Sequence, residues 1–184
     1  MKKKNVLYIP TLSLDEFGFA YEDDPKWLRD PFFRASLEPG VYEMITSAAY
    51  KDKLSKNPVT PQEKQALPIA LRNLLKLYRA GILIALGTDS GATPIRAQGF
   101  SEHMEMELMV SAGLTPLEAI RVATFNGAHL LKIDKQQGTL QPGMRADFIV
   151  LDKDPSEDIQ NTRTIRAVYK DGIKVSDGPE ASGR

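Results

Sequence analysis

Apolar residues recur along this chain at two spacings, and the alternation between them predicts the elements. Asn5 to Leu12 (NVLYIPTL) is dense in β-formers and reaches Pro10, which reads as a short buried strand. The stretch to about Glu38 mixes Phe17, Phe19, Tyr21, Trp27, Phe32 and Phe33 with acids and prolines. It is too aromatic for a disordered linker and predicts an ordered loop with short helical turns. Val41 to Lys56 reads as a helix. At Thr60-Pro61-Gln62-Glu63, Thr60 suits a cap, Pro61 the first helical position and Glu63 a capping box. Leu67, Leu71, Leu74, Leu75 and Tyr78 then recur at helical spacing, with Pro68 expected to bend the first turns and Gly81 to end the helix.

Ile82 to Leu86 is apolar without alternation, which suits a parallel strand covered on both faces. Gly87 to Gly91 (GTDSG) follows it directly, and helices are predicted from Phe100 to Ala112 and from Thr115 to Leu131, the second opened by a capping box of Thr115 and Glu118. The pattern changes after a turn-rich segment, Gly138 to Gly143. Ala146–Leu151, Ile165–Tyr169 and Ile173–Val175 read as strands, and Asp171-Gly172 between the last two is a strong hairpin signal. The order predicts an α/β fold in which two parallel strands with their helices occupy residues 1–137 and a small β-unit occupies 138–184. Two parallel strands do not make an independently stable sheet, so either they pair with something outside the chain or the fold is not what the pattern suggests.

Composition narrows the function classes. The 184 residues carry 24 Lys plus Arg and 24 Asp plus Glu, so the charge is balanced, and neither nucleic acid nor an anionic membrane is implied as a partner. No cysteine is present, which excludes disulfides, thiolate zinc sites and a Cys nucleophile. The basic start Met1-Lys2-Lys3-Lys4 precedes a short apolar stretch with no small-residue cleavage site, and no apolar run approaches the ~20 residues of a membrane span; the expected location is cytoplasmic.

Ligands of α/β folds bind beyond the carboxyl ends of the parallel strands, and Asp89 stands at such an end. An Asp there suits metal ligation or proton transfer, and equally suits capping of the next turn. Glu102, Glu105 and Glu107 form a candidate carboxylate cluster, although Glu102 and Glu105 also suit the positive start of their own helix. Met104, Met106 and Met109 read as core. Thr88 and Ser90 have no nearby His base, and Gly87, Gly91 and Gly99 form no nucleotide fingerprint. The two histidines, His103 and His129, fall on separate helices; His103 is a candidate second ligand beside Asp89, and His129 suits its helix's C-terminus. The aromatic segment from Asp15 to Phe33 either covers a site mouth or packs on material outside the chain.

Leu86-Gly87-Thr88-Asp89-Ser90-Gly91 resembles the motif that ends the eighth barrel strand of metal-dependent amidohydrolases. Ala112 to Arg121 (AGLTPLEAIR) and Ala123 to Ala128 (ATFNGA) resemble the helix after that strand. Gly138-Thr139-Leu140, Pro142-Gly143 and Ala146 to Leu151 resemble the return to the family's small β-sandwich, and Pro10-Thr11-Leu12 the end of the seventh strand. The likeness is clearest over about residues 81–175 and is nearest in flavour to imidazolonepropionase-related and prolidase-like members. It implies the last two βα units of a TIM (β/α)8 barrel plus C-terminal strands of the accessory sandwich. It also implies hydrolysis of a C–N bond in a small-molecule substrate, such as a cyclic amide or a dipeptide, by metal-activated water. Asp89 would be a ligand of a divalent metal, zinc foremost, and the general base for that water. The family's remaining ligands are an HxH pair, a Lys or Glu, and two further His from strands one to six, and the matching motifs are absent here. A catalytic zinc needs about three protein ligands. Two readings therefore stand. One is a partial amidohydrolase, inactive alone and completed by a partner chain or by self-association. The other is a non-enzymatic remnant that acts as a binding or oligomerising module.

Overall fold

A computed structural model describes residues 6–178. The basic start Met1–Lys4 and the first residue of the expected strand, Asn5, lie outside the described residues. The helices are α1 (Leu12–Phe19), α2 (Pro31–Ala35), α3 (Val41–Thr46), α4 (Ala48–Ser55), α5 (Thr60–Arg79), α6 (Phe100–Ser111), α7 (Pro116–Arg121) and α8 (Gly127–Leu130). The strands β1 (Phe148–Leu151), β2 (Ile165–Lys170) and β3 (Ile173–Ser176) form an antiparallel sheet in that order. Both central residues of the β2–β3 turn have positive φ, 50° at Asp171 and 77° at Gly172, as the Asp-Gly signal predicts.

The two expected parallel strands are reduced to one parallel bridge, Tyr8 with Ile84. Tyr8 N–H donates to the Leu83 carbonyl at 3.0 Å, and Ala85 N–H donates to the Tyr8 carbonyl at 3.1 Å. Their direction is as read from the sequence, but a parallel sheet is stable when several strands pair, and among the described residues each segment has one neighbour. Gly87 is needed where the two segments converge, because a Cβ there would stand 2.5 Å from Ile9 Cγ2.

Local chemistry explains the other departures. Val41–Lys56 is two helices because Ser47 is extended and caps the second, accepting from Tyr50 N–H. Thr60 does not cap α5: it is the first helical residue, and its hydroxyl donates to the Leu54 carbonyl at 2.9 Å. The predicted helix to Leu131 is interrupted by a π-helical turn, Val122–Asn126. Asn126 in that turn donates from Nδ2 to the Ile84 carbonyl at 2.7 Å, so the irregular helix holds the strand segment.

Two cores meet at α6. Met106 and Met109 join Leu12, Leu74, Ile84 and Val122 in one, while Phe100 and Met104 join Phe17, Tyr21, Phe33 and Ile45 in the other. The aromatics of the 15–33 segment are therefore this chain's own core, with α1 built into it, rather than a loop over a site. Ile159, from a 3-10 turn (Ile159–Arg163) between β1 and β2, enters the first core and ties the small sheet to the helices.

Candidate active site

Asp89 lies just past the carboxyl end of the 82–86 segment, in the left-handed region at φ 54°. Asp tolerates that conformation where larger residues do not. Its side chain is 58% exposed, and its Oδ2 accepts from Arg96 Nη1 at 2.7 Å. Arg96 stands on the same loop, where Gly91 N–H donates to the Arg96 carbonyl. Tyr21, fully buried, donates its hydroxyl to the Ile95 carbonyl at 2.5 Å, fastening the loop's far side to the aromatic core.

Glu102 secures the near side. Its Oε1 accepts from the Thr88 and Ser90 hydroxyls, both at 2.9 Å, and its Oε2 accepts from Gly99 N–H at 2.8 Å. One carboxylate thus caps its own helix, as the sequence predicts, and also holds the residues on either side of Asp89. Ser90 spends its hydroxyl on this carboxylate.

Glu105 departs from expectation. It is 0% exposed, and its two oxygens accept from Leu12 N–H at 2.9 Å and Ser13 N–H at 2.7 Å. It caps α1, whose own N-cap, Thr11, supplies no side-chain bond. Burial pushes the Glu105 carboxyl up to about 7, against the two backbone donors, which favour its charged form. Glu107 turns elsewhere again, to Arg163 Nη2 at 2.9 Å, while Arg163 Nη1 meets Asp30 Oδ2 at 2.8 Å. The three glutamates of α6 therefore serve three separate places and form no joint carboxylate site.

The structure gives Asp89 and His103 different partners. His103 Nδ1 lies 2.8 Å from Thr162 Oγ1, and its ring packs edge-on against Phe32. Burial and the Arg163 cation hold it down to about 4, so it is a neutral ring at neutral pH. His129 lies in the last turn of α8, as expected, and its Nδ1 pairs with Asp134 Oδ2 at 3.2 Å, just past the helix. Among the described residues no group of three His, Asp or Glu side chains comes together to hold a metal ion. With one exposed carboxylate already facing a guanidinium, the side chains present do not fit a complete divalent-metal site.

A family model described as the amidohydrolase family matches residues 28–175. The chain belongs to the amidohydrolase family. It is 39% identical over 173 residues to the ochratoxinase of Aspergillus niger, covering 87% of this chain and 33% of that protein. It is 37% identical over 106 residues to the imidazolonepropionase of Deinococcus deserti, covering 54% of this chain and 25% of that protein. Among solved structures, a Xaa-Pro dipeptidase with methionine bound in its active site aligns with TM-score 0.65 and 26% identity, over 97% of this chain and 36% of that one. The chain thus spans 25% and 33% of the length of these two curated relatives. The imidazolonepropionase-like and prolidase-like flavour read from the motifs is met by these likenesses. Among the described residues no helix is long and apolar enough to cross a membrane.

Proposed function

We propose that this chain is the C-terminal portion of an amidohydrolase that cleaves C–N bonds in small molecules, and that it contributes Asp89 to an active site whose other metal ligands lie outside these 184 residues. Residues 1–137 would supply the seventh and eighth βα units of the barrel, and 138–184 strands of the accessory sandwich. The observation that supports this most is the parallel Tyr8–Ile84 pair with Asp89 immediately beyond its carboxyl end, the position where such folds keep their chemistry. The names of the relatives favour an amide within a ring or next to an amino acid. The reading assigns Asp89 the ligand and proton-accepting position and gives His103 no ligand role, because the His103 ring is engaged by Thr162 and Phe32. The chain alone is inactive in this reading.

The test is metal analysis and dipeptide hydrolysis on the purified chain, wild type beside Asp89→Ala. Each is measured alone and mixed with the N-terminal remainder of an intact relative. Sub-stoichiometric metal and no hydrolysis alone, with Asp89-dependent hydrolysis in the mixture, is the expected result. Near-stoichiometric metal that the isolated chain loses on Asp89→Ala would overturn the shared-site reading. A folded mixture without Asp89-dependent hydrolysis would leave the chain as a non-enzymatic module.

A further inference from the structure

α6 carries two carboxylates one turn apart, and each reaches the carboxyl end of a different parallel segment: Glu105 the Leu12 and Ser13 amides after the first, Glu102 the loop after the second. Bonds of an ionised carboxylate to hydroxyl and amide donors are among the stronger hydrogen bonds, and a carboxylate with several donors fixes their relative positions. Thr88 and Ser90 flank Asp89 in sequence, and both donate to the same oxygen, Glu102 Oε1. Ser90 N–H also donates to Thr88 Oγ1 at 3.2 Å, closing a small ring of bonds around the residue between them. Asp tolerates the left-handed region but does not require it, so at φ 54° the bonds of its neighbours select the turn that Asp89 adopts.

We infer that Glu102 is a positioning residue for Asp89: by gripping the hydroxyls of Thr88 and Ser90, it sets the backbone turn that holds the Asp89 carboxylate beside Arg96. The inference rests on the proposed reading only for the claim that Asp89 does chemistry; the geometry it asserts is testable without any hydrolysis. Glu102 touches no reacting atom. It acts through the loop.

The experiment is carbon-13 NMR of the side-chain carboxyls of the full chain, together with amide hydrogen exchange, at neutral pH. In Glu102→Ala the Asp89 carboxyl signal moves, exchange at Gly99, whose amide donates to Glu102, accelerates about tenfold, the equivalent of one charged hydrogen bond, and exchange at Ser90, whose amide donates to Thr88 Oγ1, accelerates by less. The Asp147 and Asp171 signals and exchange at Leu12 and Ser13 stay as in wild type. Glu102→Gln keeps an oxygen for the two hydroxyls and brings the Asp89 signal part of the way back. Ser90→Ala, a smaller change, moves the Asp89 signal in the same direction and serves if Glu102→Ala does not fold. An Asp89 signal unmoved in the folded variants, or one that moves together with those of Asp147 and Asp171, overturns the inference. Failure of the hydrolysis test with these NMR results intact would sink the proposed function and leave the positioning role standing.

Discussion

Glu105 and His103 lie two residues apart on α6, and burial acts on them with opposite sign. The Glu105 carboxyl is raised from 4.5 to about 7, so between those values the folded chain holds a proton that the unfolded chain has lost. Its contribution to stability is complete below about 4.5 and is lost as pH rises through 7. His103 is lowered from 6.5 to about 4, so in that window the unfolded chain holds the extra proton. Its contribution is complete above 6.5 and is lost as pH falls toward 4. From pH 4.5 to 6.5 the two slopes oppose each other and partly cancel. Glu105→Gln is therefore expected to gain stability relative to wild type as pH rises from 4.5 to 7, by on the order of 3 kcal/mol across the window. His103→Gln is expected to lose stability relative to wild type as pH rises from 4 to 6.5. Urea unfolding at a series of pH values measures both. Curves for Glu105→Gln and wild type that run parallel would show that the buried carboxyl does not titrate in this range.

The turn Ile159–Arg163 is the element that fastens the small sheet to the helices, and Arg163 is its main polar anchor. The guanidinium is 10% exposed, pairs with Asp30 and Glu107, and lies over the Phe100 ring at 5.3 Å. Arg163→Ala removes the cation that both carboxylates share, while Phe32 N–H still donates to Asp30, and is expected to cost about 2 kcal/mol. Arg163→Lys should recover only part of this, since an ammonium lacks the fork that meets two acids at once. Equal loss with Asp30→Asn, measured by denaturation, together with no further loss in the double variant, would tie the cost to the pair. The Arg163 partnership was not legible in the sequence, because nothing local relates it to Asp30 or Glu107. What was legible is what neighbouring residues decide. The Thr115–Glu118 capping box, the Asp171-Gly172 turn and the methionine core of α6 needed only short-range chemistry or periodicity. The place of Asp89 was readable because a Gly-rich turn follows an apolar run. The partner of Asp89 was not, and neither was the role of Glu105: its donors are 93 and 92 residues away, and an acid near a helix start already has a sufficient local explanation. Asn126 belongs with these. Its π-turn breaks a helix that the pattern runs through, and Asn126→Ala, which orphans the Ile84 carbonyl, is expected to cost about 1–2 kcal/mol in the same denaturation assay.

At the scale of the whole molecule, two of the places where exposed apolar side chains occur among the described residues are also strand segments with an open side. Val6 and Ile9, both 43% exposed, flank the segment that has only Ile84 as a strand partner among the described residues. Ile173 and Val175, 68% and 57% exposed, lie on β3, which among the described residues pairs on one side only. Unpaired strand edges with apolar residues drive association, either with the chain that normally covers them or with another copy. The chain alone is thus expected to self-associate at micromolar concentration, which sedimentation velocity reads directly. The two places are separable by substitution. Ile173→Lys, at an exposed site, leaves the fold intact and weakens association that runs through the β3 edge, whereas Ile9→Lys weakens association through the incomplete parallel pair. If the proposed reading holds, adding the remainder of an intact relative covers the Ile9 side, suppresses the Ile9-dependent species and restores Asp89-dependent hydrolysis in the same sample. A chain that stays monomeric at high concentration and takes up no such remainder would mean that its two parallel segments need no third neighbour, and would overturn the proposed shared barrel.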